Sequence, residues 1–376
     1  MITQYKVKNF KSLKAAQFDF KNLNLLTGLN GMGKSSLIQS LLLLRQSFQK
    51  DILLKYGLYL RGEIIDLGFG KDVFYESAGV DDLLEISIKC DQFESTDFQF
   101  SYSTAEILPN RNSIKSGDAI FDCTLFTNDF QYLNADRKAP NSLHERSDFD
   151  VVNKNQIGNK GEYAIHYLAE YGTKYKVSHP KLIHPKRREG TDTLIYDVEA
   201  WLSEISPGTR LKINPISDKI EFGFEFEKSV GTTNEHKPVN VGFGLSYVLP
   251  IIVAALTAKE GKTIIIENPE SHIHPRGQSK LGELLFASSQ TGAQLFIETH
   301  SDHILNGIRV AINKHQSGAE GVGIFFFKMM SEGDEKATNS ERYTEVLNPI
   351  IDNDGRIDNW PDDFFDEWEK NIMQLI

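Results

Sequence analysis

The chain has 376 residues in ordinary globular proportions, 40% hydrophobic and 25% charged, with a formal charge of −11. That length supplies a sizeable core, and the negative balance excludes a surface that clings to nucleic acid everywhere, while leaving room for a local basic groove or a protein partner. The longest apolar stretch, residues 247–256, is too short to cross a bilayer, and the charged opening MITQYKVKNFK is not a signal peptide, so a cytoplasmic protein with no membrane contact is expected. Two cysteines, Cys90 and Cys123, are too few and too far apart in sequence for a zinc cluster or a disulfide framework, and a structural role is expected for both.

Taken in order, residues 2–20 alternate like strands and lead into a buried strand over 24–27, then the loop GLNGMGKSS and an amphipathic helix over 36–48. Gly28, Gly33, Lys34 and Ser35 fit G-x-x-x-x-G-K-[ST]. In that pattern loop N–H groups and a helix N-terminus surround a polyphosphate, the lysine reaches its outer oxygens and the hydroxyl holds magnesium. The segments GLYLRGEIIDLGFGKDVFYES, LLEISIKC and FQFSYSTAEIL predict short antiparallel strands. From 109 to about 160 the text turns polar and predicts long loops around one aromatic strand candidate, FQYLNADRKAP.

Helical spacing returns over 161–171 and 197–205, and 211–226 alternates like a hairpin. A helix over 245–258 with Pro250 at a bend or at its true start, a buried strand over 262–266, a helix over 280–289 and a second buried strand over 295–299 then imply an α/β arrangement with a parallel sheet. The β-branched run 263–266 ends in Glu267, so Glu267 and Glu270 are the acidic candidates for the metal at the carboxyl end of the sheet. His300, just past the second strand, is placed to orient a terminal phosphate or attacking water; its alternative is a helix start capped by Ser301 or Asp302. There is no internal repeat and no sustained heptad, so long coiled-coil arms are not expected.

The order NFKS, GLNGMGKSS, a glycine–serine helix start in VNVGFGLSYVLP, ENPESHIHP and ETHS resembles the ABC-type ATPases of the RecF, SMC and OLD group. With YLNADRKAP, NKGEYAIHYL and DNWPDDFFDE it is most similar to bacterial AAA-type ATPases of phage-defence operons, such as the PtuA subunit of Septu systems. The resemblance implies a P-loop ATPase head: a β lobe with the phosphate loop at 1–108, an inserted helical region at 109–238, signature, acidic strand and switch histidine at 239–315, and C-terminal strands with a tail helix at 316–376. It implies ATP and Mg2+ held by the loop, including Asn30, Gly31, Met32 and Ser36, with Lys11 near the phosphates, Ser35 and Glu267 as metal ligands, and Lys34, Glu267, Asn268, Glu270 and His300 as the catalytic set. Gly242, Gly244 and Ser246 would form a signature motif that completes the ATP site of a second subunit, giving a head-to-tail homodimer. Two departures stand out. Glu267 replaces the usual aspartate, and Asn268, where relatives have a catalytic glutamate, cannot act as a base. General-base assistance is worth roughly 10²- to 10⁴-fold, so unless Glu270 substitutes, hydrolysis is expected to be slow.

Slow turnover suits a switch in which ATP closes the dimer and the closed state controls an effector, a nuclease or toxin encoded nearby. The alternatives are a RecF-like DNA-repair ATPase and a nucleotide-sensing scaffold without turnover. The basic run HPKRREG makes Lys186, Arg187 and Arg188 the candidate DNA contacts. His272 and His274 supply two metal-type ligands with nothing to complete a site, and a structural or dimer-facing role is expected for them. DNDG at 352–355 fails the EF-hand pattern and reads as a hairpin turn. The stretch after His300 is short for a further nuclease domain, and Arg137 is a candidate either for nucleotide contact or for bracing.

Overall fold

The computed structural model describes residues 1–91, 93–112, 118–177, 179–332 and 341–375. In chain order they form β1 (Ile2–Phe10), β2 (Leu13–Asp19), β3 (Leu23–Thr27), α1 (Lys34–Gln49), β4 (Gly57–Tyr59), α2 (Gly70–Val73), β5 (Leu83–Cys90), β6 (Thr96–Ser101) and β7 (Ile107–Pro109). Next come β8 (Phe130–Leu133), β9 (Leu143–Glu145), α3 (Ala164–Tyr171), α4 (Leu194–Ile205), β10 (Thr209–Ile216), β11 (Lys219–Phe226) and α5 (Phe243–Leu256). The chain continues through β12 (Thr263–Glu267), α6 (Pro275–Ser289), β13 (Gln294–Glu298), α7 (Asp302–His315), β14 (Val322–Glu332), β15 (Glu341–Leu347) and α8 (Glu367–Leu375). Residues 113–117 of the expected loop region and 333–340 of the expected C-terminal strands lie outside the described residues.

Two compact units emerge, the first from Met1–Thr127, Gly323–Ile350 and Ile357–Ile376, the second from Asn128–Val322 and Ile351–Arg356. In the first, an antiparallel sheet of order β2-β1-β5-β6 buries Tyr5, Phe10 and Phe18, and Phe18 packs on Phe325 and Phe327 of β14. The β1–β2 turn places Lys11 at φ 51°, a left-handed conformation that a hairpin corner can hold. Beside it β3 lies next to β14, which pairs antiparallel with β15. Helix α1 begins at the lysine of the phosphate loop, buries Leu37, Ile38 and Leu41 to Leu44, and ends where buried Arg45 donates to the carbonyls of Leu125 and Thr127.

Two expectations are corrected here. In the stretch after α1 only Gly57–Tyr59 is a strand, and Gly70–Val73 is a helical turn because the Asp72 carboxylate accepts the Phe69 N–H at 2.9 Å. Cys90 and Cys123 are not far apart in space. The end of β5 and the loop after a 3₁₀ turn at Ala119–Asp122 bring the two buried sulfurs to 2.7 Å as free thiols.

In the second unit β8, β12 and β13 are parallel in the order β13-β12-β8, with Ile266 opposite Leu133 and Glu267 opposite Glu298. The run Thr263 to Ile266 is buried on both faces, the pattern of an interior parallel strand. Helix α6 starts at Pro275, ahead of the expected 280, because proline fits a first turn whose N–H has no partner anyway and His274 Nδ1 accepts the Arg276 N–H. Pro250 lies inside α5, and a side chain on Gly161 would collide with it. The hairpin β10–β11 carries β9 on its edge. At 352–356 the Gly355 N–H reaches the Asp352 carbonyl at 2.9 Å, forming the turn the DNDG run predicts. No helix among the described residues is long and apolar enough to cross a membrane.

Candidate nucleotide-binding site

In the first unit the strand-loop-helix is built as the motif requires. Gly28, Gly31 and Gly33 adopt φ of 136°, 78° and 102°, conformations that residues with a Cβ avoid. At Gly28 space demands glycine as well, since a Cβ would lie 2.3 Å from the Phe327 carbonyl oxygen. No side chain caps the N-terminus of α1 and no acid lies in its first turn, so the helix presents a positive end to an anion. Lys34 is buried and its ammonium donates to the carbonyls of Gly28 and Leu29 at 2.9 and 2.8 Å. Ser35 is exposed at the mouth, Ser36 is buried, and Asn30 and Gly31 face solvent.

A brace beneath the loop comes from residues the sequence does not single out. Buried Thr344 on β15 donates to the Met32 carbonyl at 2.9 Å, while its hydroxyl lies 2.8 Å from that of Ser12 and its N–H reaches the Ser12 carbonyl. Lys11 sits in the same corner with its ammonium on Gln39 of α1 at 2.7 Å and is pushed below its usual pKa by burial.

In the second unit the acids stand at the carboxyl ends of the parallel strands. The Glu267 carboxylate accepts the Tyr132 hydroxyl at 3.0 Å and the Ala135 N–H at 3.2 Å, and burial pushes its pKa up against the pull of these two bonds and of Arg137. Asn268 turns left-handed at φ 44° and its N–H reaches the Glu298 carbonyl at 2.8 Å. Glu270 accepts the Thr299 hydroxyl at 2.7 Å and the His300 N–H at 2.8 Å, so the second acid and the exposed histidine share one corner. Ser301, not Asp302, caps α7 through the N–H groups of His303 and Ile304. Tyr132, Ala135 and Arg137 sit within the quoted YLNADRKAP, but nothing in that text says which of them touches Glu267.

At the start of α5, Gly242 is exposed at φ 92°. Gly244 has a local reason to be glycine, because a Cβ would lie 2.5 Å from the His272 carbonyl oxygen. Ser246 is half-buried, and Phe243 and Tyr247 pack their rings around His272. Of the basic run, Arg187 pairs with fully buried Asp197 at 2.9 Å, the exposed Lys186 pairs with buried Glu204 at 2.8 Å, and Arg188 is exposed.

Comparison with known proteins fits this geometry. A family described as "AAA domain, putative AbiEii toxin, Type IV TA system" matches residues 23–306, from β3 into α7, and one described as "Protein of unknown function (DUF3696)" matches 319–375. No curated protein sequence matches the chain. Among solved structures, an SMC head bound to the C-winged helix domain of ScpA is similar at 12% identity and TM-score 0.50, over 92% of this chain and 98% of that one. The SMC head domain from Thermotoga maritima aligns at 10% identity and TM-score 0.45, over 92% and 98%. An Smc head with an extended coiled coil, bound to the C-terminal domain of ScpA derived from Pyrococcus furiosus, aligns at 11% and 0.47, over 100% and 99%. At such identities the likeness is one of fold. With its phosphate loop, its parallel acidic strand and a match over most of its length, the chain belongs to the AAA_21 family of AAA-domain ATPases and carries the α/β fold of SMC heads.

Proposed function

We propose that the chain is a cytoplasmic ATP-dependent switch, which binds ATP with Mg2+, hydrolyses it slowly, and controls a partner effector in defence against phage. The observation that carries this is that the chain holds both a fully formed phosphate loop and an acidic strand whose expected base position is Asn268. Loop amides from Gly28 to Ser36 and the N-terminus of α1 bind the phosphates, and Lys34 exchanges its two carbonyl acceptors for phosphate oxygens. Ser35 and Glu267 are the ligands for magnesium, which neutralises charge on the phosphates when bound. The donor set suits a hard cation, a hydroxyl and a carboxylate.

Glu270 is the remaining carboxylate near His300, and both of its oxygens already accept hydrogen bonds. Those bonds fix its direction, but they leave it less free than a dedicated base. Gly242, Gly244 and Ser246 of one subunit complete the site of another, so that ATP bridges two copies. The toxin in the family's description supports a switch working with an effector over DNA repair, and so does the pairing of Arg187 with buried Asp197.

The test is steady-state hydrolysis with light scattering in Mg-ATP. The wild type is expected to dimerise and turn over slowly, Asn268→Glu to hydrolyse at least tenfold faster, Glu270→Gln to lose the residual activity, and Lys34→Ala to lose nucleotide binding. Fast wild-type hydrolysis would overturn the slow switch, and a monomer in saturating Mg-ATP would overturn the shared site.

A further inference from the structure

We infer that Arg137 is a positioning residue: it fixes the left-handed peptide at Asn268 and ties that peptide to the start of α5, so that the acidic strand end and the signature segment move as one. The inference rests on the proposed ATP site for its functional consequence, but its geometry stands within the second unit alone.

Arg137 is 2% exposed, and its two terminal nitrogens donate to main-chain carbonyls, while its buried Nε has no hydrogen-bond partner among the described residues. Nη1 donates to Glu267 at 2.7 Å and to Asn134 at 3.1 Å, and Nη2 donates to Asn268 at 2.6 Å. A buried arginine usually faces a carboxylate; among the described residues Arg137 forms no ion pair. Its guanidinium carbon lies 5.9 Å from the centroid of the Tyr247 ring, and the Glu270 and Glu267 carboxylates, beyond ion-pair distance, favour its charged form. Burial lowers its pKa to about 10, which leaves it charged at neutral pH.

The peptide it holds is one that needs holding. Asn268 is not glycine, yet it sits at φ 44°, and its side-chain Oδ1 has no hydrogen-bond partner among the described residues. The conformation is therefore fixed through the main chain: the N–H on the Glu298 carbonyl from one side, the carbonyl on Arg137 and the Ser271 N–H from the other. The same short segment also grips the neighbouring carboxylate, through Tyr132 and Ala135. Tyr247 in turn packs edge-on against His272 at 4.8 Å, and the His272 carbonyl is the atom that forbids a side chain at Gly244. A continuous chain of contacts thus runs from the Glu267 peptide through Arg137 and Tyr247 to the glycine turn of α5.

Lysine keeps the charge but cannot fork across two carbonyls, so Arg137→Lys is the informative variant. Three readouts are compared in the full-length chain: hydrogen exchange at the Asn268 and Ser271 amides without nucleotide, affinity for a fluorescent ATP analogue with Mg2+, and turnover. The expected result is at least tenfold faster exchange at these two amides, nucleotide affinity within threefold of wild type, and a tenfold or greater fall in turnover. Glycine accepts a left-handed peptide unaided, so in an Asn268→Gly background the further effect of Arg137→Lys on turnover should shrink below threefold. A merely structural brace would depress both backgrounds equally, and that outcome overturns the inference, as does unchanged exchange in Arg137→Lys. If the wild type binds no nucleotide the ATP reading falls, and the exchange measurement alone then decides for or against the positioning role.

Discussion

Glu267 carries the clearest chemical signature of any single residue here. Its carboxyl is half-enclosed at the end of a buried strand, and burial raises its pKa above that of an ordinary glutamate, near 4.3. A raised pKa means that the folded chain gains a proton here at a pH where an unfolded one has already lost it. Stability held by the protonated form is therefore present at low pH and lost as pH rises through the folded pKa, whereas the metal binding proposed for this residue needs the carboxylate and follows the opposite course. Mg2+-dependent nucleotide affinity should accordingly fall as pH drops through that raised value, and Glu267→Gln should flatten the profile; an unchanged profile in the variant would remove Glu267 from the metal. Gly28 offers a second test. Any side chain there meets the Phe327 carbonyl in a backbone conformation that already disfavours it, so Gly28→Ala should cost about 2 kcal/mol or more of stability and at least tenfold in ATP affinity, read by thermal denaturation and nucleotide titration.

At the scale of elements, the phosphate loop is held from below by β15 and by the β1–β2 turn. Thr344→Val keeps the shape and removes the hydroxyl that links Met32 to Ser12, leaving a carbonyl without its donor at a cost of about 1–3 kcal/mol. A lowered melting temperature together with a several-fold weaker nucleotide affinity is the expected result, and an affinity equal to wild type would separate the brace from binding. The strand-loop-helix around Lys34 and the strand ending in Glu267 were legible because each is written in contiguous residues: a β-branched run, a glycine-rich turn, an apolar helix. Thr344 was not legible, since its partner Met32 is 312 positions away, and Tyr132 meets Glu267 across 135. Periodicity reports the face a residue buries, not the residue it meets. The same limit explains the cysteines, whose spacing said nothing about the fold that sets them side by side, and Arg137, whose carbonyl acceptors have no sequence signature. The misread strands after α1 have a local cause, a glycine-rich stretch closed by the Asp72 carboxylate, which alternation alone does not reveal.

For the molecule as a whole, the net charge and the basic run make opposite suggestions, and the ion pairs arbitrate. Arg187 faces Asp197, which is fully buried, so Arg187→Ala should leave an unpaired internal carboxylate and cost roughly 3–5 kcal/mol in chemical denaturation. Arg188→Ala, at an exposed position, should stay within about 0.5 kcal/mol of wild type. A DNA-binding role would instead show equal, salt-dependent losses of duplex affinity for both without the stability difference. The floor of the phosphate loop carries one more implication. Phe327, whose main chain presses against Gly28, belongs to the late strand β14, so a ribosome releases the loop long before the residue that supports it. A nascent chain therefore carries the loop without the backbone that packs beneath Gly28 until Phe327 has been added.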